Sequence, residues 1–459
     1  MPAQPSTRTS PISTWLWRVV GADVREGEWK LVVLLSANLF LLLTAYYILK
    51  VVREPLILMS GGAVSRSYAR GLQAGLLVVL IPAYSALANR VEPARLVTWI
   101  MGTFVVSLVV FFGLARAGGP VGFPFFVWLG IFSTLSIAQF WSLANDLLTE
   151  AEGKRLFPLI AVGGTLGAIA GAQVSARAIG RIAPPELMLI AAALLVGCMV
   201  LTNLGRRARP GVHARAAASR DRRGGFTLVA HDRYLLLIGL SVVILNLVTA
   251  TSDFIVAQMV SAKAATLATA AKRHYIASFY GNFQAWVSAV TAVIQIVVVG
   301  RVFRRIGVGN ALYFMPVLAI VSYSAVAVVP LLAIATLVKG VESCADYSLE
   351  NTLQQALFLP TSRDAKYKAK SAIDTVSKRL GDLTSTGLVA VGVPVGLGVS
   401  GFAVANVVAG VLWVWLTFHL RRRQRALVAA GGQPPAVAVP PGSDRVLAAA
   451  ASSSVGASA

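Results

Sequence analysis

The chain contains few charged residues. Asp, Glu, Lys and Arg make up 13% of its 459 residues, against about 25% in average soluble domains. Hydrophobic residues make up 56%, and several apolar runs reach the roughly 20 residues that a helix needs to cross about 30 Å of hydrocarbon. This composition excludes an ordinary soluble domain, and we predict an all-α polytopic membrane protein.

Cysteine and histidine are also scarce. The two cysteines, Cys198 and Cys344, lie in apolar runs, which indicates small core residues rather than a disulfide framework. The four histidines are scattered without metal-ligand spacing: His213, His231, His274 and His419. The sequence shows no nucleophile–base pair. We therefore expect no metal, no cofactor and no enzymatic activity.

Acidic residues are fewer than basic ones, 19 against 41, which gives a formal net charge of +22. Much of this excess lies in short segments between apolar runs, so it predicts a topology signal and contact with anionic lipid rather than nucleic-acid binding. Counting Lys and Arg puts both termini in the cytoplasm. The opposite face keeps about a third as many cations, with Arg66 and Arg70 among them.

The apolar runs predict twelve membrane spans, six on each side of an Arg-rich segment. They are approximately residues 29–49, 68–88, 96–114, 123–147, 156–179, 187–204, 234–260, 278–300, 308–329, 331–358, 369–395 and 402–420. The predicted regions are an N-terminal cytoplasmic segment 1–28, a six-helix half 29–205, a basic cytoplasmic linker 206–233, a second half 234–420 and a disordered cytoplasmic tail 421–459. No cleavable signal peptide is visible.

The two halves resemble each other in sequence. Trp-Ser-Leu-Ala-Asn at 141–145 in the fourth span recurs as Tyr-Ser-Leu-Glu-Asn at 347–351 in the tenth. Arg90-Val91 after the second span matches Arg301-Val302 after the eighth. These matches pair each span with the span six places later, which is typical of two parallel repeats. We predict a major-facilitator-like architecture with a substrate cavity between the halves.

The region 339–382 concentrates charge in an otherwise apolar chain. Glu342, Asp346 and Glu350 are four residues apart, which places them on one face of an α-helix. Such charges are costly in the bilayer centre, at roughly 2.5–3.5 kcal/mol each, so they face a cavity or each other. Two hypotheses stay open: a self-neutralised structural network, or a site whose charges exchange partners during transport.

Seven carboxylates are candidates for pairing, gating or proton coupling. They are Asp146, Asp253, Glu342, Asp346, Glu350, Asp374 and Asp382. Asp253 lies among Thr249, Thr251 and Ser252, and is either a functional acid or the partner of a cation on a neighbouring helix. Within the charged region, the spacing predicts that Lys339 pairs with Glu342 or Asp346, and that Lys378 pairs with Asp374 and Asp382.

Four cations are candidates for contact with an anionic substrate: Lys50, Arg53, Lys378 and Arg379. Lys50 and Arg53 share a helical face shortly before Pro55, which either kinks or ends the first span. If the helix continues, the two cations line the cavity and suit a phosphorylated anion. Otherwise they are interfacial anchors.

A glycine-rich segment in the fifth span could be mistaken for a phosphate-binding loop. It lacks the Gly-Lys-Ser/Thr ending of such loops. Its glycines at 163, 167 and 171 recur every four residues. This spacing predicts close helix packing.

Several signatures resemble the nucleotide (ATP/ADP) translocase family. Phe-Trp-Ser-Leu-Ala-Asn at 140–145, followed by Lys-Arg-Leu-Phe-Pro-Leu at 154–159, is similar to the family's segment between the fourth and fifth spans. Tyr-Gly-Asn-Phe at 280–283, and Ala-Ile-Asp at 372–374 with Leu380-Gly381, resemble further signatures. The resemblance covers about residues 28–420. It implies a major-facilitator-like fold, exchange of ATP for ADP or proton-coupled nucleotide import, and a bacterial inner membrane.

The family's charged residues transfer to this chain unevenly. The lysine late in the first span falls on Arg53, which keeps the charge, whereas the lysine after Leu-Gly in the eleventh span falls on Asp382. Two acids fall on Thr249 and near Leu129. We therefore expect a monomeric transporter of a nucleotide or related phosphorylated anion. The alternatives are a same-fold transporter of a proton-coupled metabolite or organic cation, and a non-transporting membrane sensor or scaffold.

Overall fold

The structure is a computed structural model that describes residues 24–25, 27–88, 93–178, 181–208, 229–230, 232–358, 361 and 369–429. Most of the predicted N-terminal segment, most of the basic linker and the tail beyond residue 429 lie outside these described residues. The described residues form helices joined by short turns, with no β-strand among them.

The fold consists of fifteen α-helical segments within the described ranges. They are α1 Trp29–Ala88, α2 Pro93–Arg116, α3 Gly122–Leu147, α4 Glu150–Ala178, α5 Pro184–Ala208, α6 Arg233–Ala265, α7 Thr269–Val297, α8 Val299–Ile306, α9 Val308–Ala311, α10 Phe314–Val328, α11 Leu332–Ala345, α12 Asn351–Leu357, α13 Lys370–Ala372, α14 Lys378–Gly392 and α15 Val399–Ala429. Two π-helical segments, Asp346–Glu350 and Ile373–Ser377, connect α11 to α12 and α13 to α14.

Eight described helical stretches are long and apolar enough to cross a membrane, and the first, Trp29–Tyr84, is 56 residues long. That length is nearly twice what one crossing needs. The stretch is interrupted at Gly62, whose φ of 66° and ψ of −163° are not helical and suit glycine because it has no β-carbon. The predicted total of twelve spans stays a prediction.

The first arm of α1 continues through Pro55 to the break at Gly62. The predicted end of the first span near residue 49 is therefore wrong, as is the predicted start of the second at Tyr68. Pro55 removes one backbone hydrogen bond, but Val51, Val52 and Ile57 around it are buried to 2% exposure or less. Packing against neighbouring helices holds the chain helical there.

The helix bundle has two ends, which we call the linker end and the distal end. The linker end carries the end of α5 and the start of α6, and also the start of α1, where Arg155 Nη2 lies 2.8 Å from Glu28 Oε1. The distal end carries Gly62 and the turn from α2 to α3. There Arg116 Nη1 lies 2.8 Å from Glu186 Oε1 of α5.

Close contact between α1 and α4 confirms the glycine prediction. A β-carbon built on Gly163, Gly167 or Gly171 would lie between 2.3 and 2.5 Å from a backbone oxygen of α1. Those oxygens belong to Ser36, Phe40 and Thr44. Only glycine permits this approach, and the shared four-residue step shows that the two helices run parallel.

Three apolar clusters show how the halves meet. One contains residues between 24 and 198 alone, and another contains residues between 234 and 427 alone. The remaining cluster joins residues 57–69 and 126–127 of the first half to residues 244–416 of the second. Since 57–69 and 126–127 lie toward the distal end, the halves are joined there. From this one-sided contact we infer that a cleft opens between them toward the linker end.

Helix α15 ends at Ala429, not at residue 420. The predicted disordered tail is therefore wrong for residues 421–429. Leu427 of this extension, like Leu420 just before it, is buried against the second half, and this burial explains why the helix continues past its apolar run.

Candidate functional site

Charged side chains from both halves converge at the interface between them, toward the distal end. We call this group the central charge cluster. It consists of Lys50, Arg53, Glu54, Arg66 and Arg70 of α1, Asp253 of α6, and Lys339 and Glu342 of α11.

Within the first half, Glu54 joins the two arms of α1. Its carboxylate accepts hydrogen bonds from Arg53 Nη2 at 2.6 Å and from Arg66 Nε at 2.8 Å. Glu54 is 3% exposed and both arginines are also buried. The Arg53 guanidinium lies 4.2 Å from the ring centroid of Phe126, which adds a cation–π contact. Arg53 is therefore held in place by both contacts.

Asp253 connects the two halves. It forms an ion pair with Arg70 of the first half, and its Oδ1 lies 3.2 Å from Lys339 Nζ of the second. Lys339 also donates a hydrogen bond to the Thr249 carbonyl oxygen at 3.1 Å. We call Arg70, Asp253 and Lys339 the inter-half bridge. The hypothesis that Asp253 pairs with cations on neighbouring helices is confirmed.

Glu342 extends the central charge cluster into the interior of the second half. Its Oε2 lies 3.5 Å from Lys339 Nζ, which confirms the predicted pairing. The same oxygen accepts a hydrogen bond from Tyr323 Oη at 2.6 Å. Its Oε1 is buried without a hydrogen-bond partner among the described residues.

Lys50 occupies a different position from the paired cations. Its ammonium lies 5.3 Å from the ring centroid of Tyr47 and 5.7 Å from that of Tyr347, which belongs to the other half. It takes part in none of the described ion pairs. Tyr347 is 45% exposed, so part of its ring surface is free beside Lys50. Because α1 continues past Pro55, Lys50 and Arg53 lie at the interface between the halves rather than as interfacial anchors.

The π segment Asp346–Glu350 changes the predicted carboxylate stripe. A π turn widens the helix by one residue per hydrogen-bonded turn, so the prediction of a regular α-helical face is wrong at this point. Glu350 accepts a hydrogen bond from Gln354 at 3.3 Å and lines a small cavity inside the second half with Ile238 and Trp413. Asp346 is half-buried and takes part in none of the described ion pairs.

The candidates on α14 and the preceding π segment form two separate pairs. Lys378 Nζ lies 3.9 Å from Asp374 Oδ1, and both side chains are more than 40% exposed. Asp382 pairs with Arg379 at 3.5 Å, so the predicted pairing of Lys378 with Asp382 is wrong. Asp382 also lies close enough to Arg70 and Asp253 to interact electrostatically. This pair therefore borders the inter-half bridge.

Asp146 lies apart from the cluster. It is half-buried at the linker end of α3, where it interacts electrostatically with Arg206 of the same half. The structure therefore brings together Lys50, Arg53, Asp253 and Glu342. Asp346, Arg379 and Asp382 lie nearby, and Asp146 and Glu350 do not join them.

Sequence reasoning missed Glu54 and placed two arginines on the distal face. Arg66 and Arg70 were counted among the loop cations, but both lie inside α1 and belong to the central charge cluster. Two signals could have identified them. They are four residues apart, which places them on one helical face, and Glu54 follows Arg53 directly in the sequence.

No family model matches the chain. Over 336 residues, 62% of its length, the chain is 23% identical to ADP,ATP carrier protein 1 of Chlamydia trachomatis serovar D. It is also 23% identical to ADP,ATP carrier protein 1 of Chlamydia muridarum over the same number of residues. The match spans 61% of the length of each carrier, which is less than two thirds.

Solved transporter structures share the fold. The nucleoside transporter NupG has a TM-score of 0.62 at 14% identity, covering 87% of this chain and 99% of its own. A bacterial homologue of the iron transporter ferroportin in its inward-facing state has a TM-score of 0.61 at 13% identity, covering 86% and 99%. The chain therefore has the all-α, major-facilitator-like fold of membrane transporters and a distant sequence similarity to ADP,ATP carriers.

Proposed function

We propose that the protein carries a nucleotide or a related phosphorylated anion across the membrane by alternating access. The observation that carries this proposal is the position of Lys50 between Tyr47 of one half and Tyr347 of the other. It supplies a cation and exposed aromatic surface at the same point of the cleft. The similarity to ADP,ATP carriers supports this substrate class.

Lys50 suits an anion because it forms no ion pair with a carboxylate among the described residues, although Asp253 and Glu54 lie close enough to interact with it electrostatically. A charge-assisted hydrogen bond to a phosphate oxygen contributes about 1.5–3 kcal/mol. The exposed ring of Tyr347 offers a surface on which a nucleobase can stack, a contact of roughly 1–3 kcal/mol where it has been measured for aromatic side chains. Lys378 and Arg379 lie on α14, where they can contact the same anion.

Alternating access requires the distal contact between the halves to open. In the present state the inter-half bridge holds this contact closed, and Thr386 Oγ1 of α14 donates to the Ser67 carbonyl oxygen of α1 at 3.1 Å. Opening the distal end separates Arg70 from Asp253. The nearby Asp382 is a carboxylate to which Arg70 can then pair, which gives this candidate a gating role.

Within this proposal, the transport reaction is the exchange of ATP for ADP, and the membrane is a bacterial inner membrane. With both termini in the cytoplasm, the cleft of this state opens inward. This orientation places Asp146, Asp374 and Lys378 toward the cytoplasmic mouth of the cleft. We propose that they gate the cytoplasmic side, as the inter-half bridge gates the distal side.

The test is uptake of labelled ATP into proteoliposomes of purified protein, with and without ADP trapped inside. Stimulation of uptake by internal ADP is the expected result. A folded protein that shows neither ATP uptake nor a nucleotide-induced thermal shift would rule out the nucleotide assignment. Nucleotide binding without movement would instead identify a membrane sensor.

Asp346 favours a second candidate, transport of a cationic or proton-coupled solute. It lies at the half-buried π segment next to Tyr347 and has no ion-pair partner among the described residues. A carboxylate in this position can bind an organic cation or a proton. If this candidate is right, Asp346→Asn abolishes uptake of a positively charged solute and Lys50→Gln does not.

A further inference from the structure

Helix α8, a short helix between two longer ones, is amphipathic. Apolar residues recur in it with helical spacing, at Val299, Val302, Phe303 and Ile306. Val299 is buried in the second half, and Val302 and Phe303 pack against the same cluster. The remaining four positions hold Gly300 and three arginines, which are Arg301, Arg304 and Arg305. The helix therefore lies at the linker end, with Arg301 and Arg305 exposed.

The end of α15 brings a second group of arginines to the same place. Arg421, Arg422, Arg423 and Arg425 lie in its last three turns. Helix α9, which follows α8, packs against this part of α15, since a β-carbon on Gly309 would lie 3.7 Å from the Arg421 side chain. Neither segment, 299–310 or 416–429, contains an aspartate or glutamate. The charged residues of the two adjacent segments are therefore all basic.

A cavity of about 460 Å³ lies between these two segments. Arg421 and Arg425 line it together with Ile306 and Val428. Both of these apolar side chains are at least half exposed, at 50% and 62%. Arg421 Nε is buried without a hydrogen-bond partner among the described residues. We call this the linker-end cavity.

We infer that the linker-end cavity binds an anionic phospholipid from the leaflet at the linker end. Its phosphate is held by Arg421 and Arg425, and an acyl chain lies along Ile306 and Val428. Topology alone explains why cations accumulate at this end. It does not require an apolar cavity beside them, whereas a lipid with a charged head and an apolar tail needs both features. The site is independent of the proposed transport function.

The test measures phospholipid binding by native mass spectrometry of the full chain in detergent, with phosphatidylglycerol and phosphatidylcholine at equal concentration. Wild-type protein should retain phosphatidylglycerol preferentially. Arg421→Gln/Arg425→Gln should weaken that binding by roughly fivefold per arginine. The matched control is Arg177→Gln/Lys272→Gln, which removes two cations at the distal end and should leave the binding unchanged.

Two further arms decide between a lipid and a free anion. Val428→Gln should weaken phosphatidylglycerol binding without changing any effect of inorganic phosphate on the melting temperature. Equal retention by the double variant and the wild type would overturn the inference. Thermal stabilisation by inorganic phosphate equal to that by phosphatidylglycerol would overturn it too. If the double variant does not fold, Arg425→Gln alone decides, because Arg425 is exposed.

Discussion

The distal interface and the linker end use charge in opposite ways. At the distal interface, buried cations and carboxylates pair with each other, and Asp253 bridges the halves through Arg70 and Lys339. At the linker end the arginines of α8 and α15 have no carboxylate in their own segments. Paired charge holds the halves together in a low-dielectric interior. Cations that form no ion pair with a described carboxylate remain available to an outside anion.

The largest effect is expected at Glu54, the carboxylate between two buried arginines. Glu54→Gln leaves Arg53 and Arg66 without a counter-charge, so it should lower the free energy of unfolding by about 3–5 kcal/mol. The control is Glu186→Gln, whose partner Arg116 is 62% exposed; it should cost about 1 kcal/mol at most. Denaturation in detergent measures both. Similar losses in the two variants would contradict the distinction between buried and surface pairs.

The next effect concerns the inter-half bridge. Arg70→Gln removes its cation from the first half and should raise the population of distally open protein by roughly 10- to 100-fold. Spin labels at Ala117→Cys and Thr266→Cys, exposed distal positions in the two halves, report the separation. Both native cysteines are buried and should not react.

Arg70→Lys, which keeps the charge, should restore most of the closed population. Arg116→Gln removes a distal ion pair within one half and should not open the molecule. Equal opening by Arg70→Gln and Arg116→Gln would show that the bridge does not hold the halves together.

A smaller effect is expected from packing at the same interface. A β-carbon on Gly71 would lie 2.7 Å from the Thr386 side chain of the other half, whereas one on Gly75 would meet nothing within 4 Å. Gly71→Ala should therefore favour the distally open state by about 1 kcal/mol, and Gly75→Ala should not. The same spin-label distance distinguishes them, and an unchanged distance in Gly71→Ala would argue against close contact there.

The smallest effect is expected for the ion pair at the linker end. Burial tends to raise the pKa of Glu28, but the hydrogen bonds from Arg155 and from the Arg25 backbone outweigh it and hold this pKa below its usual value. Glu28 therefore stabilises the fold above its unfolded pKa of about 4.3, and this contribution is lost as the pH falls through the lower folded value.

Glu28→Gln should consequently lower the free energy of unfolding by a few tenths of a kcal/mol at pH 7. It should also make stability fall less steeply as the pH is lowered into the acid range. The measurement is melting temperature against pH for the two proteins. Identical profiles would show that this ion pair does not contribute.

The sequence was sufficient for the features that depend on local periodicity. Helical runs, the glycine spacing at 163, 167 and 171, and the pairs of Lys339 with Glu342 and of Lys378 with Asp374 follow from residues close together in the chain. The cluster depends on contacts between residues that are distant in sequence, such as Arg70 and Asp253. The four-residue spacing of Arg66 and Arg70 indicates a shared helical face, but it does not show that their partners are Glu54 and Asp253. The π segments also lack a sequence signature, so the predicted stripe at Glu350 was wrong.

The most direct test of the central claim is the affinity for ATP of purified wild-type, Lys50→Gln and Lys30→Gln proteins, measured by calorimetry. Lys50 lies between two rings at the interface, whereas Lys30 is exposed on the same helix. The account predicts that Lys50→Gln binds ATP about 10- to 100-fold more weakly, and that Lys30→Gln binds it as the wild type does. Equal affinities in all three folded proteins would contradict the assignment of Lys50 to the anion.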